Sequence, residues 1–116
     1  MKSNAELVKL IDDLKKASYE HKVKIWKNVA VKLEKPLRNR PGVNISRIDR
    51  NAKKNETVIV PGKVLGSGEI NKSLTVAAFS FSGNAKKKIL DAKGKALTIR
   101  EVMGKNPKGS NIRIMG

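Results

Sequence analysis

Apolar residues recur at three- and four-residue steps in the first twenty positions: Leu7, Leu10, Ile11, Leu14 and Ala17 follow a Ser3/Glu6 capping-box pattern. The spacing predicts an amphipathic helix that ends near Ser18. Val23, Trp26, Val29, Ala30 and Leu33 repeat the period, with Lys22, Lys24, Lys27 and Lys32 between them, until Pro36 forbids continuation. The second helix is therefore apolar on one face and basic on the other. From Lys35 to Gly42 two prolines and the lack of any period predict an extended connection. The stretch Val43 to Arg50 is too short to carry a period of its own. Ser46 is placed to cap one or two helical turns there, which would set Arg47 and Arg50 on one face.

The pattern then changes from helical steps to β-branched runs. Glu56 to Val60 reads as a buried strand stopped by Pro61-Gly62, and Leu74 to Phe81 as a second. Gly62, Gly66 and Gly68 between them mark a glycine turn. Helical spacing returns with Ala85, Ile89 and Leu90, with Gly94 as the C-cap; Ala96-Leu97 is a candidate strand. Strand, helix, strand in that order predicts a right-handed parallel crossover. Thr98 and Glu101 form another capping box, and the alternation Asn111-Ile-Arg-Ile-Met115 suits a short terminal strand. The fold class is α/β. At 116 residues the chain is expected to make one domain, with a helical part over 1–34, a basic extended segment over 35–54, and an α/β core with a basic tail over 55–116.

Charge sharpens this picture. The 26 Lys and Arg outnumber the 10 Asp and Glu, and the resulting +16 is about twice what suits a small soluble domain. The excess is segregated: residues 21–54 hold eleven basic residues against two acids, and residues 83–116 hold nine against two, while 1–20 and 55–82 are neutral. Solubility alone does not require such segregation, whereas neutralising phosphates does.

Other chemistry finds little support. Without cysteine there is no disulfide, thiolate nucleophile or Cys-based zinc site. His21 with scattered acids makes a poor metal site, and the adjacent Asp12 and Asp13 point different ways on a helix. Ser80, Ser82 and Ser110 lack an evident base partner. Gly62-Lys-Val-Leu-Gly66 lacks the Gly-Lys-Ser/Thr helix start of a P-loop. Of the four aromatic residues, Tyr19, Trp26, Phe79 and Phe81, only Tyr19 lies outside an apolar run, too few for base stacking along a single strand. The second helix offers Lys where base reading by a helix-turn-helix favours Arg, Asn and Gln. No apolar stretch approaches the ~18–20 residues that span a bilayer, so neither membrane insertion nor secretion is expected.

Two motifs, Asn39-Arg-Pro-Gly-Val-Asn-Ile-Ser-Arg-Ile48 and Val60-Pro-Gly-Lys-Val-Leu-Gly-Ser-Gly68, closely resemble the large-subunit ribosomal protein L-eighteen-e family. Leu74 to Ser82, Ala85 to Ile89 and Asn106-Pro-Lys-Gly-Ser-Asn111 follow in that family's order, and the short length is similar to its archaeal members. The resemblance implies a fold shared with the bacterial L-fifteen family, an irregular superhelical stack of strands and helices, preceded here by two helices. It also implies a non-catalytic structural constituent of the cytoplasmic ribosome that binds large-subunit ribosomal RNA beside neighbouring ribosomal proteins, with no cofactor and no small-molecule substrate. On that reading Lys35, Arg38, Arg40, Arg47, Arg50, Lys53 and Lys54 meet phosphates, one or two of Lys86, Lys87 and Lys88 do the same, and Lys105, Lys108 and Arg113 anchor the tail. A free-standing DNA- or RNA-binding protein of chromatin type is the alternative, and it requires the charge but none of the ordered motifs.

Overall fold

A computed structural model describes residues 4–36, 42–54 and 56–116. Helices α1 (Asn4–His21) and α2 (Ile25–Leu33) form the expected N-terminal pair, followed by β1 (Gly42–Asn44), α3 (Ile45–Asn51), β2 (Thr57–Leu65), β3 (Thr75–Phe81), α4 (Gly83–Asp91), β4 (Lys95–Thr98), α5 (Ile99–Lys105) and β5 (Ile112–Ile114). The strands lie in the order β1-β2-β3-β4, with β5 joining β2 on the edge it shares with β1; every pairing is parallel. The α4 crossover between β3 and β4 matches the expected parallel unit.

Successive side chains on a strand face opposite ways, and here both directions are apolar. Val58, Val60, Val76 and Ala78 pack with Ile45 and Ile48 of α3 and Ala85 and Ile89 of α4. Their neighbours Ile59 and Ala77 pack on the other side with Leu10 and Leu14 of α1, Trp26, Val29 and Leu33 of α2, and Ile99 and Val102 of α5. Helices thus cover both faces, which is why the central strands read as nearly unbroken hydrophobic runs. Each Leu or Ile buried this way contributes about 1.5–3 kcal/mol.

Four local expectations change. Pro61-Gly62 does not stop β2, which runs on to Leu65. The register against β3 shifts there, Val60 facing Ala78 and Lys63 facing Ser80, so a bulge absorbs one extra residue. On the other edge β5 pairs only with residues 57–59 and β1 with 63–65. Pro61 falls in the gap, where a missing N–H breaks no ladder. Ser46 is not the cap of α3, because β1 turns directly into the helix at Ile45 and Asn44 takes the extended cap position. The first helix passes Ser18 and ends at His21, with Lys22 in the left-handed region at φ 55 and Val23 N–H donating back to the Ser18 carbonyl at 3.1 Å. Ser3, its expected cap, lies outside the described residues.

The fourth change concerns the end of α4. Its cap is Ala92, and the left-handed residue is Lys93 at φ 64, followed by Gly94 N–H donating to Ile89 at 2.9 Å. This closes a Schellman turn. Gly94 is needed instead for close approach, since a Cβ there would lie 2.4 Å from the Leu74 carbonyl.

At the other end of α4, Ser82 Oγ accepts the Ala85 N–H, and Thr98 and Glu101 form the predicted reciprocal box at the start of α5. The Thr98 N–H, 3.0 Å from the Glu101 carboxylate, holds that carboxyl below its usual 4.5. A carboxyl depressed on folding adds stability that is present above about pH 4.5 and lost as the pH falls through its folded value. The difference in thermal midpoint between the wild type and Glu101→Gln should therefore narrow on acidification below about pH 4.5. A difference that stayed constant down to about pH 3 would detach the box from the acid response.

Candidate nucleic-acid interface

The acids are largely engaged inside the fold. Asp13, Glu34, Glu20 and Glu56 pair with Arg100, Lys15, Lys16 and Arg113 at 2.7, 3.0, 4.0 and 3.1 Å. The first two pairs tie α1 to α5 and to α2, which orients the helices even though exposed pairs add little stability. The hydrogen bond from Arg100 lowers the Asp13 pKa, and the Lys53 N–H, 2.6 Å from Glu56, lowers that of Glu56. Asp49 accepts the Asn71 and Lys72 N–H groups, each at 3.0 Å, and so pins the β2–β3 loop to α3. These carboxylates, occupied in this way, offer little counter-charge to the exposed cations of α3, α4 and the strand-leading loops.

Folding sorts the candidate residues. Burial of Ile45 and Ile48 under α3 leaves Arg47 and Arg50 exposed, and Lys53 and Lys54 are exposed just beyond the helix. Arg38 and Arg40 lie outside the described residues. On α4, Lys86 and Lys87 are exposed, while Lys88 turns inward and donates to the carbonyls of Gly66 and Gly68 at 3.0 and 2.9 Å. That ammonium braces the glycine turn, which is wedged between α3 and α4: a Cβ on Gly66 would meet Asn84 at 2.7 Å, and one on Gly68 would meet Ser46 at 2.5 Å. Arg47, Arg50, Lys86 and Lys87 thus sit on the two helices covering one face of the sheet.

The remaining candidates sit elsewhere. Lys35 lines a groove of about 450 Å³ with Lys27, Asn28, Val31, Lys32 and Ile114, on the α2 side. Lys105 and Lys108 are exposed, and Arg113 is half-buried against Glu56. The tail is held by Trp26 Nε1, which donates to the Pro107 carbonyl at 2.7 Å, by reciprocal bonds between Asn106 and Ser110, and by β5. Sequence reading did not single out Lys72, Lys93 and Lys95. Each stands in a loop or strand start whose position depends on the sheet order, and the signal available was the Lys-Gly-Lys run at 93–95.

Among the described residues no group of three or more His, Cys, Asp or Glu is placed to hold a metal, and no described helix is long and apolar enough to cross a membrane. A parallel sheet buried on both faces, with cations crowding its outer helices and strand-leading loops, defines a strongly basic α/β protein. Comparison narrows the class. The family described as Ribosomal protein 60S L18 and 50S L18e matches residues 2–116. The chain is 51% identical over 114 residues to the Large ribosomal subunit protein eL18 of Methanoregula boonei, covering 98% of this chain and 94% of that protein. The protein of the same name from Archaeoglobus fulgidus is also 51% identical over 114 residues, covering 98% and 97%; that from Methanococcus maripaludis is 47% identical over 115, covering 99% and 96%. The chain belongs to the L18/L18e family of large-subunit ribosomal proteins.

Proposed function

We propose that the protein is a structural constituent of the large ribosomal subunit, in cytoplasmic ribosomes, that stabilises folded ribosomal RNA by neutralising backbone phosphates, with no catalysis and no cofactor. Family membership across residues 2–116 carries this reading. The segregated charge and the internal engagement of the acids support it. Neighbouring subunit proteins are its other partners. Arg47, Arg50, Lys53, Lys54, Lys86 and Lys87 meet phosphates along α3 and α4; Lys35, Arg38 and Arg40 do so along the connection between α2 and β1, and Lys105 and Lys108 at the tail. Arg is favoured where a planar fork grips two oxygens. Lys88 and Arg113, each with partners inside the fold, hold the shape of the surface as well as adding to its field.

Changing Arg47 and Arg50 together to Ala is expected to weaken binding to deproteinised large-subunit rRNA by roughly tenfold or more. The thermal midpoint should stay within a few degrees, because both side chains are exposed. Filter binding and a melting curve on the same preparations check both. Intact binding with a large loss of stability would assign these arginines to the protein's own scaffold.

A further inference from the structure

A parallel sheet points the starts of its strands the same way, and all but β1, which begins opposite Lys63, reach one rim. Here Ile112, Thr57, Thr75 and Lys95 stand abreast in register across β5, β2, β3 and β4. At about 4.8 Å per strand they span roughly 14 Å. The segments leading into them are stitched together: Thr57 N–H donates to the Asn111 carbonyl at 2.9 Å, Lys95 N–H to Leu74 at 2.9 Å, and Ser73 Oγ to the Lys93 carbonyl at 2.7 Å. Along that line stand Lys53, Lys54, Lys72, Lys93 and Lys95, all exposed, and Lys108 is exposed in the turn against α2 that precedes β5. The acids in or beside these segments are Asp49 and Glu56, both hydrogen-bonded within the rim, and Glu69 and Asp91, which line one shallow pocket with Asn71, Lys88 and Ala92. Lys72 is itself engaged, donating to the Asp49 and Ala52 carbonyls at 2.6 and 3.0 Å, where it closes the end of α3.

Lys93, like Lys22 at the end of α1, lies in the left-handed region. It holds φ 64, a position that helix ends normally give to Gly, and a side chain with a Cβ costs on the order of 1 kcal/mol there. A cation at a helix C-terminus recovers about 0.3–1 kcal/mol through the dipole, which at most balances that strain. Folding alone therefore gives little reason to keep a lysine at this position. Polyanion binding gives one, since the turn projects the residue from the rim with Lys95 two positions on.

We infer that this rim, centred on Lys93 and Lys95 and flanked by Lys53, Lys54 and Lys108, is an RNA contact surface that grips the phosphate backbone. The inference rests on the rRNA-binding reading and deepens it: Lys93 and Lys95, placed by the sheet order, join Lys53, Lys54 and Lys108 in one surface that extends beyond the outer faces of α3 and α4. At one phosphate per ~3.4 Å along a single strand, a rim this wide faces about four phosphate charges of one backbone.

The test measures affinity for deproteinised large-subunit rRNA at several salt concentrations, together with thermal midpoints, for the wild type and Lys93→Gly/Lys95→Gln. The variant is expected to bind roughly tenfold more weakly, with the salt slope reduced by about 2 and a midpoint equal to or above that of wild type. Wild-type affinity and slope in the variant would overturn the rim while leaving the rRNA-binding reading intact. A midpoint that falls together with binding would assign Lys93 to the end of α4 and also overturn it. Failure of the wild type itself to bind would defeat the underlying reading, and the rim with it.

Discussion

Raising the salt from about 50 mM to about 200 mM should lower the affinity of the purified protein for large-subunit rRNA by three decades or more. Neutralising Z phosphates releases the counterions condensed on them, so affinity falls as a power of salt close to Z; about six to ten contacts give the stated loss. The chain has the charge for this. Its excess of +16 is concentrated in residues 21–54 and 83–116. The fold then engages Asp13, Glu20, Glu34 and Glu56 in ion pairs and Asp49 and Glu101 in hydrogen bonds to backbone. A nearly flat response in a salt titration would mean that the cations face solvent and that affinity comes from some other contact.

The largest expected loss of stability follows from Trp26→Ala, at about 3–5 kcal/mol. Trp26 is fully buried, packs among the residues of α1, α2 and α5, and fixes the tail through its bond to Pro107. Truncation removes the apolar ring, leaves a cavity and orphans a carbonyl in one step. Against a total of about 5–15 kcal/mol, this should lower the thermal midpoint by roughly 10–25 °C. Trp26→Phe restores most of the ring volume but not the N–H, and should lose only about 1–2 kcal/mol. If Trp26→Ala melted within a few degrees of wild type, α2 and the tail would not be locked together through this ring.

Local signals in the sequence located most of the elements. The three- and four-residue steps of α1 and α2, the apolar run of β3 and the Thr98/Glu101 box each depend on neighbours in the chain, and each is found where it was expected, save that α1 runs past Ser18 to His21. The departures have non-local causes. β2 crosses Pro61-Gly62 because the edge strands β1 and β5 leave a gap there. β1 has three residues and is a strand only by virtue of β2 beside it. Lys93 rather than Gly94 adopts the left-handed turn because Gly94 is required against Leu74. The candidate interface was legible in the same degree. Composition located the cations, but only the fold distinguishes exposed Lys86 and Lys87 from Lys88, which is committed to the glycine turn, and brings Lys53 to the same rim as Lys93.

The late arrival of β5 shapes how the chain matures. None of the strand pairs is a hairpin, so each must close a long stretch of chain before it gains anything, which slows folding. Thr57 to Ile59 receive their partner only when Ile112 to Ile114 have been synthesised. Until then an apolar central strand presents unpaired backbone along one side, as it would in any polypeptide cut short before residue 112. Completion of the sheet thus waits for residues 112–114, and truncation before them turns the same open edge into a template for self-association.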